Sequence, residues 1–250
     1  MRSFAVRGAL LAAALTSMAL AGCATPSATA PDYAAVIAAP DRLATDRDVD
    51  KRRDPRQLLA YTGVRPGMKV LDVNTGGGYT TELLSRVVGP AGTVYAQDSE
   101  ANVARAKDRY DKRLQNNPLK NVVRVVRDYN DPVPPGVRDL DLATLFFFYH
   151  DVANIGGVDR VQMNRRIFDA LKPGGTFVVA DHAARDGAGT SVTNTLHRID
   201  EDVVRREVQA AGFQLVGEGG FLRNPEDPRD GRIFQSKVRM DEFVLKFKKP

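Results

Sequence analysis

At 250 residues, 43% hydrophobic and 27% charged, the chain is long enough for one globular domain with a sizeable core and appendages. Its net charge of +5 falls to +3 once Arg2 and Arg7 are set aside, and its basic residues are interspersed with acids, as from Asp46 to Asp54. No basic tract with interleaved aromatics occurs, so no nucleic-acid partner is expected.

Arg2 and Arg7 give a positive start, Gly8 to Ala21 is a short apolar run, and Leu20-Ala21-Gly22-Cys23 closes it. The run is too short to span a bilayer comfortably and has the layout of a secretory signal over residues 1–22. Leu-Ala-Gly-Cys at this place resembles the bacterial lipobox, which implies acylation of Cys23 and a new N-terminus there. Cys23 is the single cysteine, so no internal disulfide competes for it. Ala24 after it, by resemblance to lipoprotein sorting, implies a periplasm-facing protein of the cell envelope, lipid-anchored to the outer membrane. Several acyl chains hold a protein on a membrane without a transmembrane helix. Residues 23–39, rich in Ala, Pro, Ser and Thr and lacking a sustained period, read as a flexible tether, and 40–250 as the folded domain.

Within that domain, Arg52 to Tyr61 predicts a short helix with Asp54 as N-cap and Pro55 at its first position. The turn Val64 to Met68 feeds a strand over Lys69–Val73. The glycine turn Asn74-Thr75-Gly76-Gly77-Gly78 follows, and then a helix over Tyr79–Val88 that stops at Gly89-Pro90. A second strand, from Thr93, ends in Asp98; Ser99 caps a helix to Gln115; a valine-rich strand from Asn121 to Arg127 ends in Asp128-Tyr129. Leu140 to Phe148 is almost continuously apolar, as a strand buried on both faces should be, and ends in Tyr149-His150-Asp151. A helix over Asp159–Leu171 stops at Lys172-Pro173-Gly174-Gly175. The strand Thr176–Ala180 runs into Asp181-His182, and a helix over Asp200–Ala211 precedes strands at Phe213–Val216 and Phe243–Phe247. Residues 223–239 read as a polar loop. This alternation predicts a mostly parallel sheet between helices, with Asp72, Asp98, Asp128, His150 and His182 at the strands' carboxyl ends, the edge where such sheets bind ligands. Asp98 lies 26 residues beyond Asp72, near the ~20-residue spacing at which an acid meets ribose hydroxyls.

From about Pro66 to Phe247 the chain resembles a class I S-adenosylmethionine-dependent methyltransferase. The residues that carry the likeness are Asp72-Val73-Asn74-Thr75-Gly76-Gly77-Gly78, Asp98, Asp128 and Leu171-Lys172-Pro173-Gly174-Gly175. The resemblance implies a Rossmann-like α/β fold, doubly wound, with a seven-stranded sheet of order 3-2-1-4-5-7-6, strand 7 antiparallel, and helices on both faces. It also implies S-adenosyl-L-methionine as cofactor. Asn74, Thr75 and Gly76 to Gly78 would pack on its aminoacyl part, Asp72 would orient its ammonium group, Asp98 would hold the ribose hydroxyls, and Asp128 with Tyr129 would meet the adenine. Asn74 departs from the pattern, standing where the family has its first glycine. Asparagine tolerates positive φ, so the turn survives, with a side chain expected to point at the aminoacyl end. The Arg-Asp-Pro-Arg segment, Asp181-His182 and His197-Arg198-Ile199-Asp200 further resemble a group of predicted bacterial methyltransferases whose acceptors are undefined.

The reaction implied is methyl transfer from a sulfonium to an unidentified small-molecule acceptor, with the protein mainly positioning the partners. A base is needed only where the acceptor must lose a proton. The three histidines, His150, His182 and His197, all fall on the expected ligand side and are the catalytic candidates. Their spacings of 32 and 15 residues match no compact ligand motif, and no metal is expected. Phe146 to Phe148 are expected in the core. The alternative is a lipid-anchored binding protein that keeps the fold without catalysis. A nicotinamide enzyme is disfavoured because the turn lacks Gly-x-Gly-x-x-Gly.

Overall fold

The computed structural model describes residues 31–250, besides Met1. The expected signal, Cys23 and the tether up to residue 30 lie outside the described residues. Helices α1 (Tyr33–Ala38), α2 (Asp46–Arg53) and α3 (Pro55–Thr62) precede strand β1 (Lys69–Val73). Then come α4 (Tyr79–Val88), β2 (Thr93–Asp98), α5 (Glu100–Asn116), β3 (Val122–Val126) and β4 (Leu140–Phe146). The chain continues through α6 (Tyr149–Val152), α7 (Arg160–Ala170), β5 (Leu171–His182), α8 (Thr193–Leu196) and α9 (Glu201–Ala210), and closes with β6 (Gln214–Gly219) and β7 (Glu242–Lys248). Among the described residues no helix is long and apolar enough to cross a membrane.

The strands form one sheet of order β3-β2-β1-β4-β5-β7-β6, parallel except for β7, which runs antiparallel to both β5 and β6. This is the expected fold. Strand residues alternate between two apolar clusters, one on each face, because successive side chains of a strand point opposite ways. Leu71, Ala143, Leu145, Phe177 and Val179 face the cluster that α7 and α9 cover. Val70, Leu142, Val178 and Ala180 face the cluster that α3 and α4 cover.

Four local expectations change. The last part of the stretch read as a tether is α1, whose Tyr33, Val36 and Ile37 pack on the second cluster. The Tyr33 hydroxyl donates to the Val64 carbonyl at 2.9 Å. Six residues are too few to display a helical period, so only the packing reveals this helix. Asp46 to Arg53, noted in the sequence only for its interspersed charges, is α2; Asp54, at φ 40°, ends it and caps α3. β4 stops at Phe146 because Phe147 turns to φ 58° and its N–H bonds the Ala180 carbonyl at 2.7 Å. Lys172 to Gly175 stay inside β5, where the pairing with β4 shifts between Leu140 and Leu142. Gly175 allows that shift: a Cβ there would lie 2.9 Å from the Lys172 carbonyl and 3.0 Å from that of Leu140.

Candidate active site

The glycine turn sits between β1 and α4, and α2 lies across from it. Tyr79 Oη donates to Asp50 at 2.7 Å, and Arg42 makes two 2.9 Å bonds to the same carboxylate. Arg113 of α5 joins three elements. Its guanidinium donates to the Gly77 carbonyl and to both Asp46 oxygens at 2.7, 2.7 and 3.0 Å, and it also pairs with Glu82 of α4. Asp46, Glu82 and Arg113 are all buried. A buried carboxylate without a cation is costly, so this network fixes α2 against the turn.

Between α2 and the turn lies a cavity of about 460 Å³ whose wall includes Asn74, Thr75, Gly76, Gly77, Arg53 and Phe147. At Gly76 (φ 54°) a Cβ would meet nothing within 4 Å, so the backbone of the turn is bare toward open space. A second cavity, about 290 Å³, is bounded by Ser99, Asn102, Arg105, Tyr129, Phe148 and Asp151. A third, about 450 Å³, shares Arg52, Arg53 and Phe147 with the first and Asp151 with the second, and adds His150, His182 and Phe234. Volumes of this size suit small organic ligands. Phe146 and Phe147 are thus core residues and cavity wall at once. Tyr149 faces away, donating to Glu207 at 2.8 Å.

Two of the three acids expected to touch a cofactor, Asp72 and Asp98, are buried beside the turn. Asp72 is buried and accepts hydroxyl bonds from Thr81 (2.6 Å) and Thr144 (2.9 Å). Burial pushes its carboxyl up to about 6, against the pull of those two hydroxyls. Asp98 is fully buried and accepts from the Gly76 N–H at 3.0 Å, from the Asn102 amide, and from Arg124 at 3.2 Å. Burial also holds Asp98 above its ordinary value. The free carboxylate expected there is in fact occupied by protein donors, and ribose hydroxyls would have to exchange with them. Asp128 is exposed and accepts the Asn130 N–H at 2.8 Å; Tyr129 beside it is the residue that lines the second cavity.

Asn74 takes φ 60°, as the turn requires. Its side chain does not extend alone toward the aminoacyl end as expected. Oδ1 accepts from Tyr129 Oη at 2.7 Å and from Asn102 Nδ2 at 2.8 Å, drawing it toward the ends of β2 and β3. The misfit residue links the turn to the neighbouring cavity.

The three histidines do converge. His150 Nδ1 lies 2.7 Å from Asp181 Oδ1, and the His150 and His182 N–H groups donate to the same buried carboxylate, each at 2.8 Å. Burial alone would lower the His150 imidazole. The Asp181 charge outweighs it and holds His150 above its ordinary value, while His150 holds Asp181 below its own. The rings of His182 and His197 centre 5.7 and 5.6 Å from that of His150. His182 Nδ1 is 2.9 Å from Glu242 Oε1, and Glu242 is fully buried on β7.

Residues that sequence reasoning passed over complete the walls. Arg53 lies over the Phe147 ring at 4.3 Å and the Tyr79 ring at 5.4 Å, and its buried Nε has no hydrogen-bond partner among the described residues. Burial first, then the Arg52 charge, brings its guanidinium down to about 10. The signal for it was the Arg-Asp-Pro-Arg patch, which stood out only by likeness. Asn102 and Glu242 carried no sequence signal.

Residues 65–212 match the family described as a methyltransferase domain, more than half of the chain. A ubiquinone/menaquinone biosynthesis C-methyltransferase of Shewanella sp. (strain W3-18-1) is 35% identical over 129 residues, 50% of this chain and 47% of that enzyme. The chain thus spans about half the length of that relative. The same enzyme of Shewanella woodyi is 34% identical over 196 residues, 76% of this chain and 68% of the relative. The crystal structure of an S-adenosylmethionine-dependent methyltransferase from Aquifex aeolicus superposes with a TM-score of 0.59 at 20% identity, covering 80% of this chain and 92% of that one, and so shares the fold. The bare glycine turn, the adjoining cavities and the buried acids beneath fit the cofactor of that family. The chain belongs to the class I S-adenosylmethionine-dependent methyltransferases, and S-adenosylmethionine is its cofactor.

Proposed function

We propose that the protein methylates a small, planar acceptor bearing an ionisable hydroxyl or an acidic carbon. One observation carries this reading: the cavity at the glycine turn and the cavity at the histidines share Arg52, Arg53 and Phe147 as common wall. Two ligands held on either side of that wall meet there. Bound S-adenosylmethionine supplies a methyl group already activated on sulfur. The chain's work is to align the partners and handle a proton.

The third cavity suits an acceptor of this class. Phe147 and Phe234 offer aromatic faces, Arg52 and Arg53 positive charge, and His150 and His182 two imidazoles, the first hydrogen-bonded to Asp181 and the second 2.9 Å from the Glu242 carboxylate without a hydrogen bond to it. The guanidiniums favour an oxygen that becomes anionic, and a histidine of this wall takes the proton it releases. The relatives act as C-methyltransferases in ubiquinone/menaquinone biosynthesis, which accords with a planar, ionisable acceptor.

The test is calorimetric titration of the purified protein with S-adenosylmethionine, followed by methyl-transfer assays on a panel of phenols, enols and quinols. Turnover on one of these supports the reading. Cofactor binding without turnover on any acceptor class would favour the non-catalytic, lipid-anchored binding protein instead. The lipid anchor at Cys23 and the periplasm-facing location belong to this proposal and are tested separately below.

A further inference from the structure

We propose that His150, Asp151 and His197 bind one first-row divalent cation at the wall of the acceptor cavity. His150 Nε2 lies 3.4 Å from Asp151 Oδ1, and the same oxygen lies 3.3 Å from His197 Nδ1. All three ligand atoms fall within 4.8 Å of one another. The first separation is longer than an ordinary hydrogen bond, and the second is a hydrogen bond at the long end of its range. Atoms bonded to one cation at about 2.0–2.1 Å sit roughly 3.0–3.4 Å apart around it, so the spacing is that of a coordination edge.

The surroundings are built as a ligand's support should be. A metal-binding histidine usually gives its other ring nitrogen to a carboxylate, which fixes the tautomer and the ring. His150 does so: Nδ1 is committed to Asp181 at 2.7 Å, leaving Nε2 to face Asp151. Asp181 is itself held by two backbone N–H groups. His197 is presented from a left-handed backbone position (φ 55°), costly for a residue with a side chain, and its ring packs on Phe234 with centroids 5.1 Å apart. Strain of this kind persists where the surroundings hold it and gathers at ligand sites.

Two imidazoles and one carboxylate suit zinc, manganese or iron(II) rather than magnesium or calcium, which prefer all-oxygen sets. Three protein ligands leave coordination positions open, and His150 and Asp151 line the acceptor cavity. The role of the ion rests on the methyltransferase reading. An acceptor hydroxyl that coordinates it loses its proton to His182, its O–H electron pair staying on oxygen. The anion attacks the methyl carbon, and the carbon–sulfur bond breaks with its pair going to sulfur. His150 then serves as ligand and His182 as base.

The experiment uses the purified protein, stripped with a chelator and titrated with Zn²⁺, with Co²⁺ as a visible-spectrum probe of nitrogen ligation and with Mg²⁺ as control. The wild type should take up one equivalent of Zn²⁺ and none of Mg²⁺. His197→Asn, which tolerates the left-handed position, should weaken Zn²⁺ by at least about 100-fold, and Asp181→Asn by about 10–100-fold. S-adenosylhomocysteine affinity, unchanged in both, certifies the fold; should His197→Asn lose it, Asp151→Asn takes its place. Zn²⁺ held no more tightly by wild type than by the His150→Ala/His197→Ala double variant overturns the proposal. If S-adenosylhomocysteine binds and Zn²⁺ does not, the cation falls and the methyltransferase reading stands; the converse result separates them the other way.

Discussion

Asp181 grips His150 twice: Oδ1 lies 2.7 Å from the imidazole Nδ1, and Oδ2 accepts the same residue's backbone N–H at 2.8 Å. One carboxylate therefore fixes both the position and the protonation of the ring. In chelator-treated protein, Asp181→Asn should lower the His150 titration relative to wild type, since burial is then opposed only by the Asp151 charge; imidazole NMR resonances report it. The sign for stability follows. The raised folded-state value contributes stability that is complete below 6.5 and fades as pH climbs through the higher folded value. Thermal melts of wild type should fall over that window, and those of Asp181→Asn should fall less. Turnover by the variant should fall about 100-fold.

Asp72 should make cofactor binding depend on pH. Its carboxyl, pushed up to about 6, gains a proton as pH falls through that value, and the negative charge beneath the turn disappears. A raised carboxyl destabilises the fold above its folded value and relieves that cost below it, so acid weakens the ligand before the protein. Calorimetry from pH 8 to pH 5 should show S-adenosylmethionine affinity declining below about pH 6 in wild type. Asp72→Asn should bind weakly throughout, without that slope.

Asn74 trades strain for two hydrogen bonds. Asn74→Gly relieves the left-handed backbone, about 1 kcal/mol, and loses bonds from Tyr129 and Asn102 worth about 1 kcal/mol each. Its stability should stay within about 1 kcal/mol of wild type by urea melts. Asn74→Val, β-branched at φ 60°, should lose about 2–3 kcal/mol. Equal melts for the two variants would mean that the turn carries no strain.

Arg53 is half-buried, and its guanidinium sits against two rings instead of an acid. It should serve the carboxylate of the cofactor's methionyl part. Arg53→Gln is expected to weaken S-adenosylhomocysteine by about 10–100-fold, a charged hydrogen bond's worth. Binding of 5′-methylthioadenosine, which lacks the aminocarboxylate, should not change; equal loss for both ligands would make Arg53 structural.

The anchor is tested in cells. Cys23→Ser should move the protein from the membrane to the soluble envelope fraction. Wild-type protein that carries no acyl group on Cys23, by mass spectrometry of the purified chain, would rule out lipidation there.

The strands were legible because each is an apolar run bounded by glycine, proline or acid, and Asp72, Asp98, Asp128, His150 and His182 stand where the order β1 to β5 puts them. Legibility stopped at partners. Nothing local to Asp46 reveals that Arg113, 67 residues later, neutralises it, so the one buried residue of α2 read as solvated charge. For the same reason Asp98 read as a free acid, although Gly76, Asn102 and Arg124 occupy it. The meeting of His150 with His197 depends on the left-handed turn after α8, which no spacing rule anticipates.

The matched methyltransferase domain begins at residue 65, yet Asp46, Arg52 and Arg53 form part of the cavity wall. A fragment cut at that boundary would keep every glycine of the turn and strand Arg113 in the interior without Asp46. Homology would delimit a piece with all the recognisable signature and an incomplete pocket. The working unit of this protein therefore starts before its family does, and expression trials or swaps of domains between relatives should carry α1 to α3 along.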